Sequence, residues 1–178
     1  MDNLKAITPL GSSTPRQDQV AGVTLVENCD VALASVAQRM GATISGLDLP
    51  AVGKSLAGDP FSVFWTAPGQ WMIEAPMNSH EDIVPALLQH LDGAVSITEQ
   101  SGGWARFDIS GEGTISVLER LVMLDLDALQ PGDTARSTLD HIGVFLIRRG
   151  AQQFTLYAPR SSAASLHHAL LQAMRAVL

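Results

Sequence analysis

Lysine, cysteine and tyrosine are scarce in this 178-residue chain: two lysines (Lys5 and Lys54), one cysteine (Cys29) and one tyrosine. Basic residues number 11 against 18 acidic ones, for a net charge of −7. Phosphate backbones are bound by clustered Lys and Arg, so nucleic acid is excluded as the main partner. A lone cysteine cannot form an internal disulfide, which fits a reducing compartment such as the cytoplasm. Cys29 itself reads as a small, half-buried residue at a strand end. No apolar run approaches the roughly 18 to 20 residues that span a bilayer, so no membrane is expected. The N-terminal stretch has no apolar core of the secretory kind.

Motif-borne chemistry is equally sparse. No G-x-S-x-G elbow, P-loop lysine or C-x-x-C pair occurs. Gly111-Glu112-Gly113 lacks the third glycine of a dinucleotide fingerprint and reads as a strand-to-helix turn. The histidines (His80, His90, His141, His167 and His168) never fall four apart around a glutamate, which argues against a zinc helix. Asp125 and Asp127 alternate in LDLD and read as water-facing residues.

What is present is a globular pattern, with 46% hydrophobic residues. Residues 1–20, rich in Ser, Thr, Pro and Gln, read as a flexible tail. Residues 23–27 and 31–39 read as strands, and 42–50 as loop with a short helical turn. Residues 61–67 and 71–75 form a hairpin around Pro68-Gly69, where proline pre-sets φ and glycine permits a positive one. Ser79 and Asp82 make a capping-box-like signal, before a helix with Val84, Leu87, Leu88 and Leu91 on one stripe. Strands follow at 94–99 and 104–110, the second alternating cleanly. A helix is expected over 114–123, with Thr114 as cap. Strands at 141–149 and 154–158 precede a last helix capped by Ser161.

An internal repeat organises these elements. At an offset of 83 residues, Ala75-Pro76 falls on Ala158-Pro159, Gln70 on Gln153, Trp71 on Phe154, and Ala86-Leu87-Leu88-Gln89 on Ala169-Leu170-Leu171-Gln172. The expected fold class is therefore α+β: two pseudo-symmetric halves, about 21–101 and 102–178, of antiparallel or mixed sheets with helices packed on them, in one domain over 21–178. A feature common to both halves, such as Trp71 and Phe154, serves packing more readily than catalysis. Trp65 has no aromatic counterpart and falls on Arg148. Trp65, Arg148 and Arg160, the last entering the final helix, are the candidate contacts to another subunit.

Four motifs carry a resemblance: WTAPGQWMIEAP (65–76), SGGWARFDISG (101–111), LERLVMLDL (118–126) and FTLYAPRSSA (154–163). In order and spacing they resemble the gamma subunit of bacterial heterotetrameric sarcosine oxidase, over residues 21–178. The resemblance implies a part in oxidative demethylation of sarcosine to glycine. That reaction belongs to one-carbon metabolism, with tetrahydrofolate as acceptor, and is an oxidoreductase chemistry on a CH–NH donor. It implies alpha, beta and delta subunits as partners, with FAD, FMN, NAD and zinc held on them and no cofactor, metal or catalytic residue in this chain. It also implies a fold similar to the folate-binding domains of the glycine-cleavage T-protein group. The competing reading is a free-standing folate-binding or aminomethyltransferase-like protein. Trp71 and Trp104 would then stack a pterin, and Glu74 or Asp108 would hold its ring nitrogens.

Overall fold

The computed structural model describes residues 5–91 and 93–178. The chain runs β1 (Gln17–Val20), β2 (Val23–Asn28), β3 (Val31–Gln38), β4 (Ser55–Leu56), β5 (Ser62–Ala67), β6 (Gln70–Pro76), α1 (Ile83–His90), β7 (Val95–Glu99) and β8 (Trp104–Ser110). It continues through α2 (Thr114–Glu119), β9 (Thr134–Leu139), β10 (Ile142–Gly150), β11 (Gln153–Pro159) and a 3-10 turn (Arg160–Ser162) to α3 (Ala163–Val177). The strands form two antiparallel sheets, ordered β1-β2-β8-β11-β10-β9 and β4-β5-β6-β3-β7. The α+β class with two similar halves is thus the architecture of the molecule.

The chain divides between Gly103 and Trp104, but the two units are not contiguous in sequence. One compact unit comprises Met1–Cys29, Trp104–Pro131 and Arg136–Leu178; the other comprises Asp30–Gly103 and Gly132–Ala135. The pairing of β2 is the main cause: it precedes β3 in sequence yet pairs with β8, whereas β7 pairs with β3 within its own unit. Backbone pairing, which no local sequence window reports, thus carries β2 into the second half's sheet.

The repeat itself is reproduced to the residue. β6 and β11 have bounds that differ by the same 83 residues, Gln70 to Gln153 and Pro76 to Pro159. Each hairpin carries a register shift at the equivalent place, between Trp65 and Ala67 and between Arg148 and Gly150. Ala75 lies opposite Ala32, and Ala158 opposite Ala105. In the first unit, Leu25, Phe107, Ile109, Phe154 and Leu156 pack against Leu166, Leu170 and Met174 of α3. In the second, Ala34, Val36, Val63 and Ile73 pack against Ile83, Leu87 and Leu91, in and just after α1.

Several local expectations are corrected. In α1 the buried row is Ile83, Leu87 and Leu91, whereas Leu88 is 61% exposed. Positions four apart share a helix face, and Leu88 is turned about 100° from Leu87. The helix starts at Ile83, which puts Pro85 in the first turn, where its missing N–H costs nothing. The Ser79 hydroxyl therefore donates to Pro76 O and pairs with His80 instead of capping. Residues 42–50 hold no helical turn. Helix α2 stops at Glu119 with Val117 inward; Thr114 donates its hydroxyl to Gly111 O, and Gly113 is the cap. Ser161 sits inside the 3-10 turn, and Ser162 caps α3 without a side-chain bond. β9, over Thr134–Leu139, is a further strand.

Of the expected tail, residues 1–4 lie outside the described residues, 17–20 form β1 against β2, and residues 7–16 are tied down. The buried Glu27 carboxylate accepts the N–H groups of Leu10 (2.8 Å) and Arg16 (3.0 Å). Arg160 donates to Ile7 O at 2.7 Å. Asp18 bonds Arg16 and, at 2.7 Å, the buried His167 of α3.

The Arg16 hydrogen bond holds the Asp18 carboxyl down at about 2, with His167 assisting against the opposing effect of burial. A carboxylate with a lowered folded-state pKa adds stability above its unfolded value, and that stability is lost as pH falls through the folded one. Asp18→Asn is expected to flatten the wild type's loss of urea stability between about pH 4 and pH 2. Identical pH profiles for the two proteins would overturn the assignment.

Arg148 is likewise enclosed. It is 9% exposed, and its guanidinium lies 5.4 Å over the Phe154 ring. It donates to the carbonyls of Leu126, Leu129, Gly150 and Ala151. Arg148→Met strands those acceptors and is expected to cost about 1–3 kcal/mol in urea unfolding. The exposed Arg120→Ala should stay within about 0.5 kcal/mol. Equal effects would show that Arg148 anchors nothing.

Candidate functional site

The candidate site lies on the helix-bearing face of the five-stranded sheet, within one unit. Odd-numbered residues of β5 and β6 share that face, so Phe61, Val63 and Trp65 form a row beside Trp71, Ile73 and Ala75. Trp65 stands directly opposite Trp71. The Trp71 indole N–H donates to Pro50 O at 2.8 Å and so holds the loop that joins β3 to β4. This mirrors the first unit, where Arg148, opposite Phe154, holds the connection before β9 through Leu126 and Leu129. In both halves the cross-strand pair beside the bulge supplies the N–H that ties down the long connection.

That connection walls a cleft of about 730 Å³. Ile44, Leu47 and Asp48 from that connection line it together with Leu56, Asp59, Pro60, Phe61, Val63 and His90. Two close backbone approaches set the walls. A Cβ on Gly46, whose φ is +91°, would stand 1.8 Å from His90 O, and one on Gly58 would stand 2.2 Å from Phe61 O. The Phe61 ring is held edge-on between His80 and His90, at centroid distances of 5.3 and 5.4 Å. The Gly58 N–H donates to Ser62 Oγ.

The residues singled out from sequence are not brought together. Trp65 is half-buried, and its indole nitrogen is fully enclosed without a hydrogen-bond partner among the described residues. Arg148, expected at a surface, is interior. Arg160 is half-buried and spends a donor on Ile7 O.

The pterin-binding set is likewise committed elsewhere. Trp71 serves Pro50, and Glu74 is buried. Trp104 packs on Phe145 at 5.3 Å. Asp108 accepts from Asn28 Nδ2 (2.8 Å), from Arg106 Nε (3.0 and 3.1 Å) and from the Thr155 hydroxyl (2.6 Å). Those bonds place two donors on each oxygen, which fills a carboxylate's usual capacity. Arg149 extends the network by donating to Thr155 Oγ1. The alternation of 104–110 puts Arg106 and Asp108 on one face; Asn28 and Thr155 join them only through strand pairing.

Asp125 accepts the Ala128 N–H in a turn, as a structural aspartate does. Among the described residues no group of three or more His, Cys, Asp or Glu side chains could hold a metal ion, and no helix is long and apolar enough to cross a membrane.

Trp71→Phe keeps the ring and removes the bond to Pro50. It is expected to cost about 1 kcal/mol and to raise amide exchange across 42–52 while leaving α3 unchanged. Unaltered exchange in that loop would overturn the anchoring role.

No protein-family model matches the sequence, and no curated protein matches it. Solved structures do. A chain of the heterotetrameric sarcosine oxidase from Corynebacterium sp. U-96, in complex with pyrrole 2-carboxylate, aligns with a TM-score of 0.75 at 24% identity, over 87% of this chain and 85% of that one. The glycine cleavage system aminomethyltransferase T from Bartonella henselae aligns with a TM-score of 0.63 at 16% identity, over 85% of this chain. This chain spans about half of that transferase, 46% of its length. The fold is therefore similar to both, as the four sequence motifs imply.

Proposed function

We propose that this chain is an accessory, gamma-type subunit of a sarcosine oxidase complex. It acts as a scaffold whose partners, alpha, beta and delta subunits, carry the FAD, FMN, NAD and zinc and perform the oxidative demethylation in the cytoplasm. The observation that carries this reading is coverage in both directions. Alignment to a chain of the heterotetrameric oxidase takes in nearly the whole of each protein, whereas the free-standing transferase has a further half with no counterpart here. The committed states of Trp71, Glu74, Trp104 and Asp108 support it further, since a pterin site would need their polar groups available.

The test is co-expression of the tagged chain with flavoprotein alpha and beta subunits of a heterotetrameric sarcosine oxidase from the same source. Affinity capture should retain flavin absorbance in fixed ratio to this chain, and the captured complex should oxidise sarcosine. Capture of the chain alone, with saturable quenching of its tryptophan fluorescence by a reduced folate, would overturn the reading in favour of a folate-binding protein.

A further inference from the structure

We infer that the cleft between the 44–48 and 56–60 loops is a docking site for a basic segment of a partner subunit, one presenting a lysine or arginine flanked by apolar side chains. The inference rests on the proposed subunit role and names the surface that serves it.

Charge is the first argument. Asp48 and Asp59 both line the cleft and are exposed, and neither has a hydrogen bond or ion pair among the described residues. No lysine or arginine lines the cleft. Two uncompensated carboxylates facing one opening attract a cation, and a long basic side chain can place its charge there while burying its stem on apolar surface.

Lining is the second argument. Ile44, Leu47, Val63 and Phe61 offer apolar contact in the same cleft as the two acids, and Leu56, also lining it, remains 42% exposed. An apolar floor with a polar rim is the anatomy of a protein-binding patch.

Rigidity is the third. Gly46 packed on the last carbonyl of α1, Gly58 packed on Phe61 O and the Trp71 bond to Pro50 fix both walls before any partner arrives. Preformed walls spare an incoming segment the entropy of ordering them.

Charge reversal tests the inference in the co-expressed complex. Asp48→Lys with Asp59→Lys changes only exposed side chains, so melting temperature and circular dichroism should match wild type. Flavin captured per chain is expected to fall at least tenfold. A control with the same charge change in the other unit, Glu112→Lys with Glu119→Lys, should capture as wild type does. Leu56→Asp should also weaken capture.

Equal capture by all variants would overturn the cleft and leave the subunit reading standing. Failure of wild type to capture flavoprotein would overturn both. A concentration-dependent dimer of the isolated chain, abolished by the cleft reversal, would overturn the partner assignment and make the cleft a contact between two copies.

Discussion

The structure turns on a hydrogen bond made twice. Beside the bulge of each hairpin, one side chain of a cross-strand pair sends an N–H to the backbone of the long connection passing over it: Trp71 to Pro50, and Arg148 to Leu126 and Leu129. A buried carbonyl without a donor is costly, and each connection brings such carbonyls over a packed sheet. The chemistry differs, indole in one half and guanidinium in the other, but the position is conserved by the repeat. The donor has also moved across the pair, from β6 in one half to β10 in the other.

The two solutions leave different residues behind. Where arginine does the anchoring, four carbonyls absorb its donors and its aromatic neighbour Phe154 is fully enclosed. Where Trp71 does it, the opposing Trp65 keeps an indole nitrogen that is enclosed and unsatisfied among the described residues. The loop anchored by Trp71 stands away from the sheet far enough to leave a cleft with two free carboxylates. The two halves thus differ in their acids: Asp48 and Asp59 are exposed in the cleft of one, whereas Asp108 in the other is fully hydrogen-bonded.

Much of the fold was legible locally. The alternation of 104–110, the Pro68-Gly69 turn and the 83-residue repeat each report a short-range constraint: strand pleat, backbone φ, and the shared geometry of two hairpins. Helix α1 was legible in place but not in face. Its candidate stripe took Leu88 as core because two helical registers fit the same leucines, and only the start at Ile83 chooses between them.

By itself the sequence determined the class of fold, the duplication and the absence of familiar catalytic motifs, because these depend on residue order over short spans. Tertiary structure alone decided the rest. It placed β2 of the first half in the second half's sheet, since strand pairing joins β2 to β8 across about 80 positions of sequence. It converted Arg148 from a candidate contact into an interior anchor and filled every acceptor of Asp108. It also brought Asp48 and Asp59, eleven residues apart in a segment with no periodic pattern, into the lining of one cleft. Loop residues carry no periodicity from which a shared site can be read, so their meeting is fixed only by where the folded backbone takes them.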